Sequence, residues 1–313
     1  MMAYLSMLDP MTLVRALPGN IAQGLIWGIM ALGVYITFRI LDFADMTVDG
    51  TLALGGAVTV MLIQGGMHPA VAVIFGFLAG MMAGLVTGIL HTALGIPGIL
   101  AGILTQISLY SINLGIMGKA NQSIGIGQEG LIASLRFVSA DDSWKFFLRL
   151  SLICLALVLI TYWFFGTELG TAIRATGCNP QMSRAQGINT NVTKVIALMI
   201  GNGLVGLCGG IYAQYQGSAD VNSGRGAIVI GLAAVIISEV LFGKLCAGKK
   251  FSFAYTLAAL FVGAILYYVA YTFVLWLKMP SDYMKLFSAV VVAVFLAIPY
   301  MKEKHTTKRK AAK

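Results

Sequence analysis

Charge is scarce in this sequence. Only 11% of its 313 residues are charged, whereas soluble globular proteins carry about 25%. A protein surface needs charged side chains to stay solvated, yet 58% of these residues are hydrophobic and the mean hydropathy is +0.87. The composition therefore argues against a soluble enzyme, and most of the chain must lie in lipid.

Cysteine and histidine are also few. The four Cys show no paired spacing and the three His are widely separated, so neither a disulfide framework nor a zinc site is expected. The sequence contains no GxxxxGK[ST] phosphate loop and no GxSxG nucleophile elbow. The usual motifs of nucleotide-hydrolysing enzymes and of serine hydrolases are therefore absent from it. We therefore expect a non-enzymatic chain without a cofactor, whose energy source lies in another protein.

The net charge of +9 would suggest a nucleic-acid partner in a soluble protein. Here the cations lie in short clusters between apolar runs, so they indicate membrane orientation instead. If the spans alternate, most Lys and Arg residues lie on the side of the C-terminus, including the basic tail 302–313. We expect this side to be cytosolic, with the N-terminus outside.

Residues 1–9 lack a basic start and an Ala-x-Ala site, so we expect no cleaved signal peptide.

Nine apolar segments approach the roughly 20 residues that a bilayer-spanning helix needs. They are 18–40, 46–64, 69–94, 97–117, 147–166, 193–217, 226–243, 252–277 and 283–301. The expected fold class is therefore all-α, a polytopic membrane bundle forming one domain over 1–301. The outward loop 118–145 is long enough for a short surface helix that could meet an external partner.

The inward segment 168–194 contains signals for a short helix of its own. Gly177 is suited to end one helix, Asn179 to cap the next with Pro180 at its first position, and Gly187 to end it. Loop statistics alone favour an ordinary connector. The length of the segment and its separately capped helix favour a functional element outside the membrane.

Glycines recur every four residues in the third segment, at Gly76, Gly80, Gly84 and Gly88. This spacing places them on one helix face, where another backbone can approach closely. Gly24 and Gly28 do the same in the first segment. The pattern predicts a tightly packed bundle and does not specify what moves through it.

Three acids, Asp42, Asp45 and Asp49, lie between the first two segments. An acid facing hydrocarbon costs roughly 2.5–3.5 kcal/mol on insertion scales, so acids at membrane depth usually face a polar cavity. A cytosolic turn would solvate the same acids at no cost. The spacing alone supports both interpretations equally.

Two further segments, 95–110 and 224–239, begin with a glycine-rich entry and continue as apolar helices. Paired interrupted segments in the two halves of a chain are typical of a transport path near the membrane midplane. Their polar members are Gln106 and Ser108 in the first and Ser238 and Glu239 in the second. We therefore expect two half-helices that contribute side chains to a path.

Three stretches resemble the permease subunits of ATP-binding-cassette importers of the branched-chain amino acid and ribose type. They are DFADMTVDGTLALGGAVT (42–59), the segment from GTAIRATGCNPQMSRAQG to GGIYA (170–213), and GRGAIVIGLAAVIISEVLFG (224–243). Two departures are notable, because Asp49 and Glu239 stand where relatives commonly have glycine. Glu239 is similar to a subgroup linked to amino acid uptake and lipoprotein binding partners.

The resemblance implies that the capped helix at 179–187 is a coupling helix that docks onto a separate ATPase subunit. The candidate coupling residues are Arg174, Asn179, Pro180, Gln181, Met182, Ser183, Arg184, Ala185 and Gly187. It also implies that Asp45, Thr47 and Asp49 lie near the translocation path. Together with the half-helix residues Gln106, Ser238 and Glu239, they form the candidate path.

The implied machine contains two permease chains, expected to be a homodimer, with two ATPases and one extracellular substrate-binding lipoprotein, in a bacterial cell membrane. The expected cargo is a small polar solute, with an aromatic amino acid such as tryptophan or tyrosine favoured over a sugar. An ion-coupled secondary transporter is the competing interpretation. It could draw on Glu239 and the acids at 42–49, but it has no need for a capped cytosolic helix.

Overall fold

The computed structural model describes residues 10–125, 143–246 and 252–276, together with positions 286, 289, 290, 293 and 297. Apart from those five positions, the expected ninth segment 283–301 lies outside the described residues. The basic tail 302–313 and most of the loop 118–145 lie outside them as well.

The described residues contain ten α-helices and one short two-stranded sheet. The helices are α1 (Pro10–Val34), α2 (Val48–Gln64), α3 (Pro69–Thr92), α4 (Gly98–Met117), α5 (Ser143–Phe164), α6 (Glu168–Cys178), α7 (Pro180–Ala185), α8 (Thr190–Gln216), α9 (Ala227–Cys246) and α10 (Ser252–Trp276). A π-helical turn, Tyr35–Ile40, continues α1. The strands are β1 (Asn121–Ser123) and β2 (Ser218–Asp220).

Six helical stretches are long and apolar enough to cross a membrane, and α2 and the Ala227–Gly243 part of α9 are shorter apolar helices. The predicted all-α membrane bundle is confirmed, and the first eight apolar segments each coincide with a helix. Residues 95–110 are an exception to the half-helix expectation, because α4 runs for 20 residues without a break. Residues 98–110 are the first part of a helix that is long and apolar enough to cross the membrane.

The antiparallel ribbon of β1 and β2 is a feature that hydropathy does not predict. Asn121 lies opposite Asp220 and Ser123 opposite Ser218. The Gln64 side-chain amide, at the end of α2, donates to the Ser123 carbonyl at 2.6 Å. The ribbon therefore ties the ends of α2, α4 and α8 together, and we call this side of the bundle the ribbon end.

The glycine face of α3 packs against α8. A Cβ added at Gly80 would meet the Asn202 carbonyl, and one added at Gly84 would meet the Leu198 carbonyl. In the same way, Gly24 in α1 packs against Ile265 of α10. The predicted close backbone approach is confirmed, and the structure adds the identity of each partner helix.

Helix α8 runs from α7 on one side of the bundle, the α7 end, to the ribbon end. Asn202 is at its middle, about 18 Å from its first residue at 1.5 Å per residue. The Asn202 side chain bonds to Asp45, which precedes α2 by three residues. Helix α2 therefore begins at mid-height inside the bundle rather than at its surface.

Candidate functional site

Asp45 and Asn202 form the centre of a buried polar cluster. The Asp45 carboxylate accepts hydrogen bonds from the Thr47 backbone N–H, at 2.9 Å, and from the Asn202 side-chain amide. The Asn202 side-chain Oδ1 accepts a hydrogen bond from the Thr51 hydroxyl at 2.9 Å. These four side chains are at most 2% exposed. The cluster thus gives the buried Asp45 carboxyl group its hydrogen-bond partners from within one subunit, as burial of a polar group demands.

Three threonine hydroxyls extend this cluster to two more helices. The Thr47 and Thr87 hydroxyls share a hydrogen bond of 2.7 Å, and Thr87 donates to Thr105 at 3.0 Å. The cluster therefore connects the start of α2 with α3, α4 and α8. Two predicted path residues, Asp45 and Thr47, belong to this cluster, and both side chains are buried from solvent.

Replacing Asn202 with Leu is expected to destabilise the bundle. The substitution removes a donor from the Asp45 carboxylate and an acceptor from Thr51, and each buried group left without a partner costs about 1–3 kcal/mol. We expect the apparent melting temperature in detergent to fall by several degrees. Asn191→Leu, an exposed change on the same helix, is the control and should have little effect. An unchanged melting temperature for Asn202→Leu would contradict a stabilising role for the cluster.

The three acids at 42–49 have three different environments. Asp42 is exposed and adopts φ +57°, a left-handed conformation that Asp tolerates in turns. Asp45 is buried in the cluster. Asp49 is half-buried, and its two carboxylate oxygens accept the backbone N–H groups of Gly226 and Ile228, each at 2.9 Å. The turn interpretation therefore fits Asp42 alone.

Asp49 holds the N-terminal end of α9. The first N–H groups of a helix have no partner within the helix, and a carboxylate there also interacts favourably with the helix dipole. Since Asp49 lies in the first turn of α2, α9 also begins inside the bundle, near mid-height. This placement agrees with the interrupted character expected for 224–239.

A cavity of about 320 Å³, the Asp49 cavity, lies beside this junction. It is lined by Asp49, Gly50, Gln106, Ile107, Tyr110, Ser111, Asn113, Val221 and Arg225. Two residues predicted for the path, Asp49 and Gln106, therefore share one cavity. Sequence reasoning missed Tyr110, Asn113 and Arg225, because only the fold brings α4 next to the entry to α9.

A second cavity of about 440 Å³, the Glu239 cavity, is lined by Tyr35, Arg39, Ser238, Glu239, Phe242, Gly243, Thr256 and Ala259. The guanidinium Nε of Arg39 lies 2.7 Å from a Glu239 carboxylate oxygen. Arg39 belongs to the π-helical turn, a distortion that is frequent at functional sites. Ser238 and Glu239, both predicted for the path, share this cavity.

The two cavities lie at different heights along α9. Asp49 binds the start of the helix, and Glu239 is about 18 Å further along it at 1.5 Å per residue. Gly177 of α6 packs against the Ile40 carbonyl, which places Arg39 and the Glu239 cavity toward the α7 end. The six predicted path residues thus divide between the buried cluster, the Asp49 cavity and the Glu239 cavity.

The helix α7 has the caps that its sequence predicts. The Asn179 side-chain oxygen accepts the N–H groups of Gln181, at 3.1 Å, and Met182, at 3.0 Å, with Pro180 at the first helical position. Gly187 follows with φ +84°, a conformation that favours glycine. Gly177 does not end the preceding helix, since α6 continues to Cys178.

One face of α7 is exposed and the other is anchored. Gln181, Met182 and Ala185 are exposed, and Met182 is 61% exposed. Ser183 is buried and donates to the Asn179 carbonyl at 2.9 Å. Arg184 is also exposed, and its Nε donates to the Thr190 hydroxyl at 2.6 Å, which ties α7 to the start of α8.

Arg174 differs from the other candidate coupling residues, because its described contacts are aromatic. Its guanidinium lies 4.0 Å from the ring centre of Phe253 and 5.4 Å from that of Phe165. Partial burial lowers the pKa of Arg174, although an arginine remains charged at any physiological pH. The contacts fasten α6 to α10, and a role for Arg174 in coupling stays a prediction.

Together these features define a multi-span membrane protein with two cavities along one helix and a capped helix at one end. The family described as "Branched-chain amino acid transport system / permease component" matches residues 19–298. The chain belongs to this family. The predicted permease identity and transport function are therefore confirmed.

Three relatives illustrate the similarity. A tyrosine transport system permease protein from Clostridioides difficile (strain R20291) is 40% identical over 88% of this chain and 88% of its own length. The uncharacterized protein RP368 from Rickettsia prowazekii (strain Madrid E) is 33% identical over 88% of this chain and 94% of its own. The autoinducer 2 import system permease protein LsrC from Yersinia pestis is 27% identical over 63% and 54%. No solved structure matches the chain.

Proposed function

We propose that this permease subunit imports an aromatic amino acid, tyrosine foremost, and is driven by an ATPase that docks on α7. The exposed, doubly capped α7 is the observation that carries the proposal. A helix built outside the spans, with its own caps and an exposed methionine, is suited to contact another protein. The tyrosine transport permease from Clostridioides difficile supports the choice of solute.

The proposed assembly follows the two ends of the bundle. The ATPase binds at the α7 end on the cytosolic face of the bacterial membrane, and an extracellular substrate-binding lipoprotein meets the ribbon end. The C-terminal tail 302–313 is cytosolic in this arrangement. A second copy of the chain completes the path. ATP is bound by the partner subunit, and this chain supplies no ATPase site and no cofactor.

The proposed path runs from the ribbon end past the Asp49 cavity to the Glu239 cavity. Both contain charged side chains, which are costly against lipid and are expected to face water or another subunit. Because Asp49 of the first cavity bonds to the start of α9 and α9 residues line the second cavity, a small displacement of this helix would alter both. The buried cluster of Asp45 and Asn202 would hold α2 and α8 as a fixed support beside it.

Cells that carry this permease with its ATPase and binding protein provide the test of function. We expect these cells to take up radiolabelled L-tyrosine. This uptake should be lost when the ATPase cannot hydrolyse ATP, and an excess of unlabelled L-tyrosine or L-tryptophan should suppress it. Excess ribose should leave it unchanged. Uptake that persists with the inactive ATPase and collapses with a protonophore would instead establish an ion-coupled transporter.

The Arg39–Glu239 ion pair is expected to regulate this path more than it stabilises the fold. The two side chains are 60% and 34% exposed, and pairs of this kind contribute about 0–1 kcal/mol. We expect Glu239→Gln to leave the melting temperature nearly unchanged and to shift substrate-independent ATPase activity of the complex by up to about fivefold, the equivalent of 1 kcal/mol. The exchange Arg39→Glu with Glu239→Arg should restore the original rate. Equal rates in all three proteins would contradict a gating role.

A further inference from the structure

Arg225 is an exposed cation near mid-height of the bundle. It directly precedes Gly226, whose N–H bonds to Asp49, and Asp49 is one helical turn from the level of Asp45 and Asn202. Within the described residues, Arg225 forms no ion pair. Its guanidinium lies 5.9 Å from the ring centre of Tyr110.

This position excludes a lipid surrounding for the Arg225 side chain. An arginine at the centre of a bilayer costs at least about 2.5–3.5 kcal/mol when it faces hydrocarbon. The adjoining surface of α4 is also partly polar, since Ser108 and Ser111 are exposed. The Asp49 cavity therefore faces water or another subunit and not lipid.

The cavity is lined by one acid, Asp49, one cation, Arg225, and one hydrogen-bond acceptor without a partner, the Asn113 side-chain oxygen. Asp49 directs its carboxylate to the start of α9 and does not pair with Arg225, so the guanidinium keeps its donors free for another anion. Asn113 is 1% exposed, donates from its amide to the Gly50 carbonyl at 3.2 Å, and leaves its buried side-chain oxygen without a hydrogen-bond partner. Buried polar atoms normally have a partner, so a ligand donor or water belongs at this oxygen.

We propose that the Asp49 cavity binds the zwitterionic backbone of an amino acid during its passage. The substrate carboxylate pairs with the Arg225 guanidinium, whose fork of donors matches a carboxylate. The ammonium group lies on the side of Asp49 and the Asn113 carbonyl. The substrate side chain packs along Tyr110 and Ile107. This inference rests on the proposed function and specifies the chemical class of its substrate. An uncharged sugar has no ionic group that could pair with either Arg225 or Asp49.

Protection of a cysteine in the cavity tests the proposal directly. Gln106→Cys, in a background with Cys178→Ser and Cys246→Ser, is labelled in the purified complex with an anionic or a cationic methanethiosulfonate reagent. We expect L-phenylalanine to slow labelling several-fold, whereas phenethylamine, which lacks the carboxylate, and 3-phenylpropionate, which lacks the ammonium group, should not. Arg225→Gln should abolish this protection and lower the anionic-to-cationic rate ratio by about tenfold, since a charged cleft concentrates counter-ions.

Two variants sharpen the result. Arg225→Lys keeps the charge but loses the fork, so it should keep the rate ratio and retain only part of the protection. Lys119→Gln removes an exposed cation beyond the end of α4 and should change neither. Protection that survives Arg225→Gln, or that phenethylamine matches, would overturn the zwitterion site while ATP-driven uptake by the wild-type complex continued. Loss of that wild-type uptake would instead overturn the proposed function.

Discussion

Placing two acids on the exposed face of α7 is expected to abolish ATP-driven uptake while the permease stays folded. Met182 and Ala185 are exposed, and no described hydrogen bond of the bundle depends on their side chains. In the proposed complex they become buried against the ATPase. A charge desolvated without a partner in an interface costs about 2–5 kcal/mol, which corresponds to a 30-fold to several-thousand-fold loss of affinity at 1.4 kcal/mol per tenfold.

The measurement is co-purification of the ATPase with the Met182→Asp, Ala185→Asp permease, followed by uptake. Met182→Leu with Ala185→Ser changes the same two exposed positions without adding charge and is the matched control, which should assemble and transport normally. Asn179→Ala removes the cap and should weaken assembly less, because an N-cap contributes about 0.5–2 kcal/mol. A double-acid variant that retains its ATPase and its uptake would show that α7 is only a connector.

Leucine at both Gly80 and Gly84 is expected to destabilise the bundle enough to lower its folded yield sharply. At each position even a Cβ would meet a carbonyl group of α8, so the two backbones must separate. Overpacking typically costs about 1–3 kcal/mol per site, against a total stability of about 5–15 kcal/mol for most proteins. Displacement of α8 would also break the bond between Asn202 and Asp45.

Gel filtration of detergent extracts measures this effect as the yield of monodisperse protein. Gly115→Leu is the control, because a Cβ at this helical glycine of α4 meets nothing within 4 Å. We expect the double variant to aggregate or disappear and the control to match the wild type. A normal yield from Gly80→Leu with Gly84→Leu would mean that α3 and α8 are not packed as described.

Features encoded over short stretches of sequence could be predicted. Hydropathy locates the first eight apolar helices, because lipid requires long apolar segments. Asn179, Pro180 and Gly187 define α7 because caps act within one turn of the helix. The four-residue glycine spacing likewise predicts the packed face of α3, since that pattern is a property of one helix.

Features that depend on distant contacts could not be predicted. Asp45 is satisfied by Asn202 and Asp49 by the start of α9, and neither partner is visible from the spacing of the acids. Arg225 and Tyr110 approach each other only after α2 has packed against both α4 and α9. The pairing of β1 with β2 joins two loops far apart in sequence. The sequence therefore predicts the elements and several site residues, but not how those residues divide among the cluster and the two cavities.

The central claim is that this chain forms a path that a separate ATPase opens by acting on α7. Its most direct test is L-tyrosine accumulation in proteoliposomes that contain the purified permease, ATPase and binding protein. We predict accumulation that requires ATP, continues in the presence of a protonophore, and stops with the Met182→Asp, Ala185→Asp permease. Accumulation by the permease alone, driven by an imposed ion gradient without ATP, would contradict the account.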